Sequence, residues 1–109
     1  MRREFAGTLS QQIHVHQLTN DRTDGGLSSS YRAKVLSCRA CVIPEGSGAE
    51  AEGMALSGMP RMRFVVRTSS LLAVEQRVEW RRRSFLIRQI VEDLRFPDRL
   101  ELRCEEVRT

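Results

Sequence analysis

Alternation of apolar and polar side chains with a period of two over residues 62–91 constrains this chain more than any other feature. The pieces are RFVVR at 63–67, VEQRVEW at 74–80 and SFLIRQIV at 84–91, separated by short polar links. Successive side chains of a strand point to opposite faces. Met62, Phe64 and Val66 therefore share one side of the first, Val74, Val78 and Trp80 one side of the second, and Phe85, Ile87 and Val91 one side of the third. The opposite sides take Arg63, Val65 and Arg67, then Glu75, Arg77 and Glu79, then Leu86, Arg88 and Ile90. A helix would need apolar residues at i, i+3, i+4 and i+7, which none of these segments provides. The pattern predicts three consecutive strands in a meander.

The flanking segments extend the same pattern. LSQQIHVHQL at 9–18 places Ile13 and Val15 on one side of a strand and His14 and His16 on the other. TNDRTDGGLSSS at 19–30 reads as a loop with a hairpin turn at its centre, because Asn and Asp bond to nearby backbone and Gly25 and Gly26 tolerate positive φ. In YRAKVLSCRACVI at 31–43, Tyr31, Ala33 and Val35 begin on one face and Leu36, Cys38, Ala40 and Val42 continue on the other. A switch of this kind near Val35 predicts a bulge or strong bend, and Pro44 is expected to end the strand. After a turn region at 92–99, LELRCEEV at 100–107 alternates Leu100, Leu102 and Cys104 with Glu101, Arg103 and Glu105. About six strands with turn-rich links predict an all-β fold, a small antiparallel β-barrel or sandwich. Closure would also remove exposed strand edges.

Two segments stand outside this pattern. Residues 1–8 read as a flexible arm, and EGSGAEAEGMALSGMP at 45–60 is a long loop after the second strand. The loop combines Glu45, Glu50 and Glu52 with Gly46, Gly48 and Gly53, and Met54, Leu56 and Met59 are its only large apolar groups. Two helical turns over 49–56 are conceivable, although Gly53 weakens them. Long loops in compact domains are usually functional or disordered.

A chain of 109 residues predicts one domain, 1–109, able to fold without staples. The net charge is +4, and Lys34 is the one lysine among 18 basic residues. With acids interspersed among the arginines, this balance suits protein partners better than a nucleic-acid coat. No run approaches the roughly 18 apolar residues of a membrane helix, and the first residues lack the apolar core of a secretory signal. Synthesis in the cytoplasm and no membrane partner are the expectations. Cys38, Cys41 and Cys104 are an odd set and read as reduced thiols. Cys38 and Cys41 lie in a predicted strand, where residues three apart face opposite ways, so packing is preferred to zinc or redox chemistry. His14 and His16 share a strand face without a third histidine, so no metal site is predicted. No cofactor and no catalytic residue are predicted, since no nucleophile is paired with a base. The 19–30 loop lacks the following helix and Lys-Ser/Thr ending of a phosphate-binding loop.

One ordered series of short motifs runs along the whole chain: Leu9-x-x-x-Ile13-x-Val15, the 21–26 turn, Tyr31, Ala40 ahead of Pro44, Val66-Arg67, Arg77-Val78-x-Trp80, Phe85-x-Ile87, Asp93 and Leu100-x-Leu102-x-Cys104. In this order they resemble the head-tail joining proteins of tailed bacteriophages, also called head closure, stopper or head-tail adaptor proteins. There are two departures. Arg39 stands where such sequences often place tryptophan, and Trp80-Arg81-Arg82-Arg83 lacks the glycine of that hairpin turn. The resemblance implies a virion component at the head-tail interface, a ring subunit commonly in twelve copies. The ring closes the DNA-filled head and presents the surface on which the tail docks. Implied partners are the portal or adaptor protein of the head, a tail terminator or tail tube protein, further copies of the chain, and packaged DNA passing through the channel. A gene transfer agent particle would use the same part. The resemblance also places 45–60 toward the channel, with Glu45, Gly46, Gly48, Glu50, Glu52, Gly53 and Met54 as the candidate channel-facing residues.

Arg61, Arg81, Arg82 and Arg83 are candidates for interface or phosphate contacts. As a small nucleic-acid-binding β-barrel, the alternative class, the chain would grip phosphates with the 81–83 arginines while Trp80 or Phe85 stacks a base. Both aromatics share parity with core positions, and the arginines could equally meet Glu45, Glu50 or Glu52 of a neighbouring subunit. Removal of 45–60 is expected to spare the cooperative thermal melt while harming particle closure; a melt abolished by the deletion would refute this.

Overall fold

The structure is a computed structural model that describes residues 5–23, 26–45 and 60–107, with side chains described for 7–19, 33–45 and 60–107. A single helical turn, α1 (Phe5–Thr8), precedes six strands: β1 (Gln11–Thr23), β2 (Gly26–Glu45), β3 (Arg61–Arg67), β4 (Arg77–Trp80), β5 (Arg83–Asp93) and β6 (Phe96–Val107). They close into an antiparallel barrel in the order β1-β2-β3-β6-β5-β4. Part of the expected arm is thus helical, and it leads into the buried Leu9.

The alternation predicted the strands but not their neighbours. β3 pairs with β2 and β6, whereas β4 pairs with β5 and returns to β1 through His14–Glu79, Val15–Val78 and His16–Arg77. The predicted meander of residues 62–91 is therefore broken between β3 and β4. The 68–76 link crosses the barrel end instead of making a hairpin, and β4, β5 and β6 form the meander that brings β6 back beside β3.

The link is organised by Gln76, which is buried. Its Nε2 donates to the Leu71 carbonyl at 3.0 Å, and its Oε1 accepts from the Ala73 N–H at 2.9 Å. Leu72 packs against the core from this link. Val74 was expected inside with Val78, but it is 49 % exposed, because β4 begins only at Arg77 and Glu75 turns the chain at φ 74°.

Inward positions alternate along each strand: Ile13 and Val15, Ala40, Met62, Phe64 and Val66, Val78, Phe85 and Ile87, Leu100, Leu102 and Cys104. Full burial of each such large side chain is worth about 1.5–3 kcal/mol. Phe64 is the hub, edge-on to Phe85 at 5.2 Å and to Trp80 at 6.0 Å between centroids.

Bulges redirect two strands. Val15 pairs with Leu36 but His16 pairs with Lys34, so Val35 is the extra residue, where the change of parity predicted it. On β5, Ile87 pairs with Cys104 and Gln89 with Arg103, which leaves Arg88 unpaired. Past Arg88 the faces exchange, so Ile90 packs on the core while Val91 joins the outer face opposite Glu101, the reverse of the simple alternation. The expected 19–30 loop is also corrected. Pairing continues from Thr19–Ser30 to Thr23–Gly26, which makes a two-stranded ribbon, and β2 runs through Pro44 to Glu45.

Phe64→Ala is expected to cost about 3–5 kcal/mol, and Gln76→Ala, which strands the groups it satisfies, about 1–3 kcal/mol. Urea denaturation of both variants measures these losses.

Candidate functional site

The predicted site residues separate into three environments. Glu45 and Arg61 meet on the outer face, where the pairs Glu45–Arg61 and Arg61–Glu105 lie side by side. With Arg88, Gln89 and Arg103 they line a shallow depression of about 160 Å³. Beside it, the Glu101 carboxylate accepts from Arg63 at 3.1 Å and from Arg103 at 2.8 Å, bridging β3 and β6. The Glu101 bond, followed by the fields of Glu101 and Glu45, holds the Arg103 guanidinium more firmly charged than usual. Opposite charges largely neutralise one another on this face.

Arg83 belongs to the barrel mouth. Because Phe85 points inward, so does Arg83, and Glu106 has the parity of Leu102 and Cys104. The two form a bidentate pair, Nε–Oε2 and Nη2–Oε1 both at 2.9 Å, with the guanidinium 5.2 Å from the Phe85 ring centroid. Its charge is already used in closing the fold.

Arg81 and Arg82 occupy the turn between β4 and β5, where Trp80 pairs with Arg83. Both adopt positive φ, 50° and 63°. A two-residue hairpin turn with both central residues in this region normally takes Asn-Gly, which has less steric conflict. An arginine there costs on the order of 1 kcal/mol or more. The missing glycine thus leaves the turn tight and shifts the conflict onto the arginines. Arg81 lies 4.9 Å over Trp80, whose Nε1 donates to Gln11 Oε1 at 3.2 Å. Arg39, at the other departure, is exposed opposite Gln12. Of the candidate loop, Gly46, Gly48, Glu50, Glu52, Gly53 and Met54 lie outside the described residues. Its flanks belong to the sheet, since Glu45 ends β2 and the Pro60 carbonyl accepts from the Glu106 N–H at 2.8 Å. The segment whose removal leaves those bonds in place is therefore 46–59.

One surface was not foreseen. At the β5–β6 hairpin, Leu94 is 93 % exposed, and with Val65, Val91 and Phe96 it lines an outer groove of about 550 Å³. Arg99 stacks 4.3 Å from Phe96. The Arg95 backbone N–H, donating to Asp93 Oδ1, lowers the Asp93 pKa. A leucine inside a turn was the available signal, and the Arg88 bulge that brings Val91 to it was not legible.

The remaining candidates carry little chemistry. His14 Nδ1 lies 2.7 Å from Ser37 Oγ on an open strand face. Among the described residues no three His, Cys, Asp or Glu side chains group to hold a metal. Burial raises the Cys38 thiol pKa and, more strongly, that of Cys104. The described residues thus form a closed barrel with a charged outer face and exposed hairpin tips. The family model for the phage head completion protein matches residues 6–107, and the chain belongs to that family. Its role is therefore structural, in the head of a bacteriophage particle. The fold is similar to the solution structure of protein SF1141 from Shigella flexneri 2a, with a TM-score of 0.70 and 21 % identity over 94 % of this chain and 96 % of that one. No curated protein matches the chain.

The buried, un-ionised Cys104 thiol is expected to resist iodoacetamide at pH 8 until the barrel unfolds, while the partly exposed Cys41 reacts first. Mass spectrometry of the labelled peptides reads the order.

Proposed function

We propose that the chain forms a ring at the head-tail joint, closing the DNA-filled head and offering the surface on which the tail docks. The observation that carries this reading is the family match across nearly the whole barrel, residues 6–107. The physical features agree with it. A ring needs complementary patches on each subunit that meet head to tail, and the outer face of β3, β6 and β5 offers one candidate surface, with the charged depression around Arg88 beside the apolar groove at Leu94. Twelve copies, with a portal or adaptor protein on one side and a tail terminator or tail tube protein on the other, is the arrangement the resemblance implies. Residues 46–59 would face the channel, where glycines give the backbone freedom to rearrange as DNA passes. The same part would serve a gene transfer agent particle.

The nucleic-acid-binding barrel is less well supported. Phe85 is fully buried, Trp80 packs on the core, and Arg83 is committed to Glu106.

Deleting the gene from its host element and counting particles by electron microscopy tests the reading. Separate tails and heads that leak DNA are expected. Intact infectious particles would refute it.

A further inference from the structure

The β4–β5 hairpin tip holds two charges in a form that weakens the barrel. Arg81 and Arg82 both sit at positive φ, in a turn that Asn-Gly would make with less conflict. No ion pair among the described residues compensates, and the contact of Arg81 with the Trp80 ring offsets only part of the cost. Arg83 holds Glu106, Arg63 and Arg103 share Glu101, and Arg95 and Arg99 pair with Asp93 and Asp98, yet neither Arg81 nor Arg82 has a carboxylate partner among the described residues. Both are exposed.

The tip is nevertheless held in place. Trp80 is tied to Gln11 and packed edge-on against Phe64, and it supports the Arg81 guanidinium at 4.9 Å. The turn itself allows one short path between Trp80 and Arg83. A contact made by such a tip would lose little conformational freedom on binding.

We propose that Arg81 and Arg82 form a docking prong for a carboxylate-bearing surface of a neighbouring protein in the joint, a contact made from a turn whose backbone conformation costs the barrel stability. The proposal rests on the head-tail reading for where the partner sits. Carboxylate is favoured over nucleic-acid phosphate for two reasons. A phosphate backbone is gripped by a row of cations, whereas the neighbouring arginines here are already engaged. A base would also need an open aromatic face, and Arg81 covers Trp80. Two guanidinium forks on a rigid turn instead match two carboxylates, each held bidentately.

Two double variants separate charge from strain. Arg81→Asn with Arg82→Gly removes both, whereas Arg81→Gln with Arg82→Gln removes charge and keeps the backbone conflict. Thermal melts would be combined with co-sedimentation on DNA-filled, tailless heads purified from the gene deletion. Fluorescence anisotropy with a short DNA duplex would run in parallel. The Asn-Gly variant is expected to melt roughly 5 °C higher than the natural chain, and the Gln-Gln variant to show no such gain. Both should bind heads at least about tenfold more weakly, with no change toward the duplex. An Asn-Gly variant that melts no higher overturns the proposal, as does either variant binding heads like the natural chain. A matching loss of duplex binding assigns the prong to phosphate and overturns the carboxylate partner. Failure of the natural chain itself to bind heads refutes the head-tail reading and the docking proposal with it, an outcome distinct from failure of the variants alone.

Discussion

Everything in this molecule depends on closure of a small sheet around Phe64. A six-stranded antiparallel sheet left open would expose two edges, and the last contact that removes them is short, the pairing of β1 with the four residues of β4. So brief a seam needs support from within. Val15 and Val78 face each other across it, Phe85 follows Val78 on the next strand, and Phe64 meets Phe85 edge-on from the far side. The aromatic contact thus ties together strands that are not neighbours in the sheet.

Charge is distributed according to distance from that core. At the mouth, where the inward face reaches solvent, Arg83 and Glu106 form a bidentate pair beside Phe85. On the outer face, Arg63, Glu101 and Arg103 link β3 to β6. Partly exposed pairs of this kind contribute little stability each, but they decide which cations remain available to other molecules. The β4–β5 tip is the exception, since neither Arg81 nor Arg82 has a carboxylate partner among the described residues.

Much of the architecture was legible from side-chain alternation. The core members Ile13, Val15, Phe64, Val78, Phe85, Ile87 and Leu102 follow from parity, and the bulge at Val35 was readable because the apolar face changes sides there. The bulge at Arg88 was not. Apolar residues on both sides of that strand masked the change, and the roles of Ile90 and Val91 were exchanged as a result. The extended β1–β2 ribbon was hidden by residues that favour turns locally, where cross-strand pairing outweighed local preference. Of the candidate site, the arginines were recognisable as a cluster, but not their division between the mouth, the outer face and the tip.

By itself the sequence determined the fold class, the inward residues of most strands, and through its ordered motifs the family. These depend on local periodicity, which a strand enforces residue by residue. Only the tertiary structure decided that 68–76 crosses the barrel, that Gln76 holds that crossing, that Arg83 is occupied by Glu106, and that Arg81 and Arg82 stand at positive φ. Strand neighbours and ion-pair partners are chosen by chain closure over long sequence separations, and the alternation of side chains carries no record of that choice.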